Sequence, residues 1–407
     1  PADTGIDGPP ANVLSASITV DPNCAVCATA HVELDKPAVV QLALGTATAN
    51  SRPWVQTERA ATHAIPLLGL RAETTYEVNI HIDNEPHSQT TFATEALPTM
   101  FPPIALTLGG DDRVEPGLTL INVLEWSNPA GRRFFVLALD DTGAIVWYRR
   151  INRLALALSI DEQARIYTTN GTQNVLRLDP YGQTTTEWPV ETLGLSSVHH
   201  EVRPTTDGGM AVLSTEMESI AGWSMPPIVE ETTFNVVGDR LALFDAEGRQ
   251  TWSWSMLDHF DPLAHHTPDI HMAFWEMPPY LEVDTPKDWS HANTLIPSGD
   301  NWMVSFRNLD WILEINPETN DVEWILGPGG DFALAEGSRW FSRQHSPSIM
   351  NNGNLLMFDN GLDRADATEG EEPHSRVVEY ALDHETMTLS EVWSWDGGAP
   401  YICTIAG

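Results

Sequence analysis

After Pro98 one pattern recurs along the chain and restricts the fold more than any other feature. An Asp or Asn opens a tight turn, and a Trp follows on the strand that leaves it. The pattern runs Asp140-Asp141-Thr142-Gly143 to Trp147, Asp179-Pro180-Tyr181-Gly182 to Trp188, and Asp245-Ala246-Glu247-Gly248 to Trp252. It recurs as Asn316-Pro317-Glu318-Thr319 to Trp324 and as Asp383-His384-Glu385 to Trp393. Several units carry a second turn upstream: Asp207-Gly208-Gly209, Ser298-Gly299-Asp300 and Asn352-Gly353-Asn354. Each unit therefore reads strand, Gly turn, strand, Asp-Gly turn, Trp strand, which is the signature of a propeller blade. The spacing, roughly 40 to 70 residues, suits four-stranded blades with insertions. A solenoid or a second sandwich would also repeat, but not with Trp-ended hairpins at this regularity. Residues 99–407 are expected to form a β-propeller, with five blades visible. The largest insertion, Ser255 to Lys287, is rich in His, Pro, Met and aromatic residues and is expected to be a loop over one face.

The segment before it, residues 11–98, reads as strands without helices. Alternation is visible at Val39 to Leu44 and from Tyr76 to Ile82, with turn residues between such runs at the spacing of a β-sandwich. Leu68-Gly69-Leu70-Arg71-Ala72-Glu73-Thr74-Thr75-Tyr76 resembles the tyrosine corner of fibronectin type III-like sandwiches. No catalytic constellation is visible here; His63, His81 and His87 are scattered. The chain is thus expected to be all-β, a sandwich followed by a propeller.

Charge narrows the partners. The 407 residues carry 57 Asp and Glu against 21 Lys and Arg, a formal net charge of -36. Phosphate backbones demand Lys and Arg, so nucleic acid is not an expected partner. No apolar run of ~20 residues spans a membrane. The opening PADTGIDGPP (residues 1–10) reads as a flexible acidic tether left after removal of an export signal, so an exported, periplasmic, cell-surface or secreted location is expected. Cys24 and Cys27 could be a zinc half-site, a redox pair or a short-loop disulfide. With no second CxxC and no βαβ pattern around it, a local disulfide is the default in an exported protein, leaving Cys403 odd.

Within the propeller, histidines recur ahead of the first Gly turn of three blades: His199-His200-Glu201, Ser290-His291-Ala292-Asn293 and Gln344-His345-Ser346. Those strands are expected to be the innermost of their blades, so equivalent positions should converge on the axis. His291 and Asn293, two apart on a strand, would share a face. Arg307, on the next strand, would meet the same space. Imidazole, amide and guanidinium together suit an oxyanion such as sulfate or phosphate. Only one of the adjacent His199 and His200 can face inward, and His200 is favoured by its place before Glu201. A neutral imidazole is a competent nucleophile near neutral pH. No Gly-rich phosphate loop is present, and neither nucleotide nor other cofactor is expected.

These residues carry a family resemblance. Residues 101–407 resemble the bacterial arylsulfate sulfotransferases, periplasmic enzymes that need no nucleotide sulfate donor. The matching motifs are His199-His200-Glu201, His291-Ala292-Asn293, Ser305-Phe306-Arg307-Asn308, Gln344-His345, Phe358-Asp359-Asn360-Gly361 and Ser375-Arg376-Val377. The resemblance implies an N-terminal sandwich, six blades, and ping-pong sulfuryl transfer between small phenols. It places the nucleophile at His345, the groups holding the sulfuryl oxygens at His291, Asn293 and Arg307, and a further pocket histidine at His199 or His200. Attack on sulfur would give an N-sulfated histidine and a phenolate, and a second phenol, deprotonated by a neighbouring histidine, would then take the group.

Two further expectations follow. His259, His265, His266 and His271 in the insertion could join the channel histidines around a transition metal, which would make the protein a metal-binding propeller, a polysaccharide lyase or a metal carrier. A non-catalytic surface binding module is the third reading. Five visible blades against six implied predict that the polypeptide is cut after Gly407. A second fragment of about 40 to 60 residues would then complete the ring, linked through Cys403. The alternative is a five-bladed ring whose first blade is closed by strands around Ile104 to Leu108.

Overall fold

A computed structural model describes residues 11–46, 49–99, 101, 104, 117–125, 133–225, 228–265, 275, 278–284, 286–398 and 401–404. The tether, the stretch 105–108, His266 and His271 lie outside the described residues. The chain divides into two compact units, Pro1–Ala155 and Leu156–Gly407.

The first unit begins with seven strands: β1 (Val13–Asp21), β2 (Cys24–Ala38), β3 (Val40–Thr46), β4 (Ala49–Gln56), β5 (Ala60–Leu67), β6 (Thr75–Ile82) and β7 (Glu85–Ala93). They form two antiparallel sheets, β1-β2-β5 and β4-β3-β6-β7, the fibronectin III-like arrangement. Period-2 burial along β2, β3 and β6 builds the core from Val32, Leu34, Val40, Leu42, Val78, Ile80 and Ile82. The tyrosine corner is present: the Arg71 amide donates to the Tyr76 hydroxyl at 2.9 Å. Cys24 and Cys27 are joined as a disulfide, in which Cys403 takes no part. Strands β8 (Thr119–Glu125), β9 (Arg133–Leu139) and β10 (Ile145–Ile151) add a three-stranded meander to this unit.

The second unit is a succession of propeller blades, each an antiparallel meander of four strands. The first is β11 (Leu158–Ile160), β12 (Ile166–Thr169), β13 (Asn174–Leu178) and β14 (Thr184–Pro189). The second is β15 (Val202–Pro204), β16 (Met210–Met225), β17 (Ile228–Phe244) and β18 (Gln250–Ser255), with β19 (Lys287–Asp288) pairing parallel to β17. The third is β20 (Ala292–Ser298), β21 (Asn301–Phe306), β22 (Trp311–Ile315) and β23 (Val322–Leu326). In the fourth, β25 (His345–Ile349), β26 (Leu355–Asp359), β27 (Arg376–Asp383) and β28 (Thr388–Trp395) follow β24 (Ala333–Leu334), which pairs parallel to β28. The first strands adjoin, β11 beside β15 and β20 beside β25.

The Asp-to-Trp repeat has a physical basis. In each outer turn the Asp or Asn side chain accepts backbone N–H groups two to four residues on, as Asp245 Oδ1 does from Glu247 and Arg249. The Trp of one blade then packs on the outer turn of the next. Trp188 lies against the turn at Gly248 (φ +81°), where an added Cβ would come within 3.0 Å of its indole nitrogen. Trp252 Nε1 donates to Asn320 Oδ1 at 2.7 Å, and the Trp324 ring meets His384 at 5.9 Å between centroids. Turn and Trp recur together because each is half of a stitch between neighbouring blades.

Beyond its blade, the β16–β17 hairpin continues well past the neighbouring strands, a feature that alternation alone does not announce. The base of this extension supports the insertion: Val237 clusters with Trp275, Tyr280 and Val283. No helix among the described residues is long and apolar enough to cross a membrane.

Candidate active site

The approach to each inner strand, rather than the strand itself, carries the expected histidines. His199 and His200 precede β15, His291 precedes β20, and only His345 opens its strand. His200 (φ +49°) and His291 (φ +52°) adopt the left-handed conformation, as do Arg343 and Ser346 (both φ +52°) on either side of His345. Such residues cost on the order of 1–3 kcal/mol each and gather where surrounding structure over-determines them. The left-handed step turns the side chain away from strand alternation. The strand alternation behind the expected pairing of His291 and Asn293 is therefore interrupted here. His291 lies off the strand, and the ladder skips register across Asn293. Asn293 turns to the next blade, where its Nδ2 donates to the Gln344 carbonyl at 2.6 Å.

His200, His291, His345 and Arg307 come together. The His200 and His291 rings are 5.0 Å apart, edge to face. His200 interacts electrostatically with His291, His345 and Arg307, and His345 with His291 and Arg307. His199 stands behind, fully buried, with Nδ1 2.9 Å from Nδ1 of His200. Arg307, 2% exposed, starts a 3-10 turn after β21. Its Nη1 donates to Asn308 Oδ1 (2.7 Å) and its Nη2 to the Thr404 carbonyl (2.9 Å).

Each imidazole is held from behind through a defined nitrogen. His199 Nε2 faces two acceptors, Asp239 Oδ1 (3.1 Å) and the Ser214 carbonyl (3.2 Å). Its Nδ1 is thereby left to accept from His200 Nδ1–H. His291 Nδ1 lies 2.5 Å from Asp288 Oδ2, and Asp288 Oδ1 accepts from Trp275 Nε1 at 3.0 Å. His345 Nδ1 faces Asn360 Oδ1 (2.7 Å) and the Arg343 carbonyl (3.0 Å), so it carries the proton. Its Nε2 is buried with no hydrogen-bond partner among the described residues. Burial pushes the His345 pKa down to about 4; Asn360 opposes that shift, and His291 and Arg307 add to it. Burial first, then electrostatic interaction with the neighbouring His291, His199, His345 and Arg307, holds His200 well below the usual histidine range. Both rings are neutral at pH 7.

Side chains from three blades fix these positions. Asp239 on β17 accepts from Ser290 Oγ (2.5 Å) and the Ala292 amide (2.7 Å). Arg343 is anchored to Asp310, whose Oδ1 accepts from its amide (2.6 Å) and its Nη1 (3.0 Å). Gln344 Nε2 donates to Ser305, Phe306 and Trp311 of the third blade. From the insertion, Trp275 packs edge-on against His199 at 5.2 Å, walling the pocket. The two described insertion histidines pack elsewhere: His259 stacks on Trp254 and His265 meets Trp311. Among the described residues no three His, Cys, Asp or Glu side chains are placed to hold a metal ion.

Sequence reading missed Asp239, Asp288, Trp275 and the role of Asn360. Asp288 had a signal, standing three residues before His291. Asn360 stands in a motif already noted, while Asp239, inside a long strand, had none.

The propeller thus gathers three imidazoles and a buried guanidinium from neighbouring blades. The chain belongs to the arylsulfotransferase (ASST) family, whose model matches residues 108–405. Membership supports aryl sulfotransfer in general terms. No curated protein matches the chain. Among solved structures it is similar to BamB from Moraxella catarrhalis, at 12% identity over 70% of this chain and 92% of that one, with a TM-score of 0.29. It is also similar to AztD from Citrobacter koseri, at 12% identity over 90% and 83% of the two chains, with a TM-score of 0.23.

Proposed function

We propose that the protein transfers a sulfuryl group from a phenolic sulfate ester to an acceptor phenol through an N-sulfated His345. The observation that carries this is the state of His345: a neutral ring, protonated at Nδ1, with a buried Nε2 that no described residue engages. The Nε2 lone pair attacks sulfur, the S–O bond to the aryl group breaks, and the phenolate leaves with the electron pair. Arg307 and the His291 imidazole take the charge on the sulfuryl oxygens. His200, neutral and presenting Nε2 because Nδ1 is bound to His199, takes the proton of the incoming phenol. Its oxygen then attacks sulfur, the N–S bond breaks, and the electron pair returns to Nε2. The disulfide supports an oxidising, exported location.

The test is to mix protein with a chromogenic aryl sulfate alone, quench, and map the modification by mass spectrometry. One sulfuryl group on the peptide containing His345, lost on adding a phenol and absent in His345→Ala, is the expected result. Full transfer by folded His345→Ala overturns the reading.

A further inference from the structure

Two of the site's histidines are backed by carboxylates, His199 by Asp239 and His291 by Asp288. His345 is backed by a neutral amide. We propose that Asn360 is a positioning residue that fixes the Nδ1–H tautomer of His345 while withholding the negative charge that would protonate the ring. The inference rests on the sulfohistidine reading above.

The amide's orientation is set independently. Asn360 Nδ2 donates to the Cys403 carbonyl at 2.8 Å, which turns Oδ1 toward His345. The turn bearing Asn360 is itself clamped. Asp359 accepts from the Ser342 and Gly361 amides (both 3.0 Å) and from Arg364 and Arg376, and Ser375 Oγ donates to the Asn360 carbonyl (2.8 Å). An oxygen so placed accepts a hydrogen bond from Nδ1–H and cannot donate one. The lone pair is therefore confined to Nε2 before any substrate arrives.

The choice of amide over acid has a chemical reason. A carboxylate at 2.7 Å would favour imidazolium, which has no lone pair to attack with. Burial keeps His345 neutral, and His291 and Arg307 beside it add to that effect. Arg343 is paired with Asp310, and Asp359 and Glu391 together balance Arg364 and Arg376, so neither group adds a free charge. When Nε2 bonds to sulfur the ring becomes cationic and keeps its Nδ1 proton. The bond to Asn360 Oδ1 then turns charge-assisted and strengthens as the reaction proceeds.

Two measurements on the full chain test this. Long-range ¹H–¹⁵N correlation identifies the His345 ring as the signals lost in His345→Ala, and reads its tautomer without any turnover. The Nδ1–H form is expected in the wild type and a mixed population in Asn360→Ala; an Nε2–H form in the wild type overturns the proposal. In the second, the pH profile of kcat/KM is compared with that of Asn360→Asp. The acid limb is expected to move up by about 1–3 units, with the rate restored at alkaline pH. A residue that served only packing would lower the rate at every pH and leave the limb in place, which would equally overturn it. If the wild type turns over no aryl sulfate, the functional reading fails, and the tautomer measurement still decides the role of Asn360.

Discussion

Replacing His345 with Gln should make the protein less sensitive to acid, although it removes the proposed nucleophile. Folded, the ring resists protonation down to about pH 4, whereas an ordinary histidine takes a proton near 6.5. Between those values the unfolded chain binds a proton that the folded chain refuses, so this residue destabilises the fold as pH falls. At about 1.36 kcal/mol per unit the full effect is about 3.4 kcal/mol, reached below pH 4. Lowering the pH from 7 to 5 draws out about 2 kcal/mol of it. Denaturant unfolding followed by Trp fluorescence, run on wild type and His345→Gln at both pH values, isolates this contribution, because every other titrating group is common to the two. The wild type should lose about 2 kcal/mol more than the variant. Equal losses would mean that the ring is protonated or solvated in the fold, and the case for a neutral nucleophile at pH 7 would go with it.

Arg307→Lys keeps the charge and loses the planar fork. In a transfer assay kcat should fall by about 10²-fold or more, whereas a change confined to KM would indicate plain anion binding. Asp288→Asn removes the carboxylate behind His291 while preserving its shape. Turnover should fall by about 10²-fold or more with a circular dichroism spectrum like that of wild type; near-full activity would show that His291 needs no carboxylate behind it. Asp359→Ala leaves Arg364 and Arg376 facing an empty acceptor in a buried place. A loss of about 3–5 kcal/mol by denaturant titration is expected, and a loss under 1 kcal/mol would show that water replaces the carboxylate.

The blades were legible because their signal is local. An Asp that caps a turn and a Trp a few residues on leave a mark that one strand of sequence can carry. The sandwich was legible for the same reason, down to the hydroxyl of Tyr76. Convergence of His200, His291, His345 and Arg307 was also within reach, since equivalent positions of a repeat share one radius. Orientation was not. It depends on left-handed steps at His200, His291 and Arg343, which no alternation rule foresees at residues other than Gly. The bond from Asn293 Nδ2 to the Gln344 carbonyl, beside His345, was not foreseen either. Asp239 escaped notice because its partners are set by neighbouring strands and a neighbouring blade, at separations that sequence pattern does not encode.

The groups proposed to meet on sulfur belong to three different sheets: His200 to the β15 blade, His291 and Arg307 to the β20 blade, His345 to the β25 blade. Activity is then a gauge of blade spacing. A small outward swing of one sheet would part nucleophile from clamp while leaving nearly every backbone hydrogen bond intact, since those bonds lie within sheets. In mild denaturant, transfer should therefore vanish well before the β-sheet signal declines, and a broken rim stitch such as Trp252→Phe should bring that point forward.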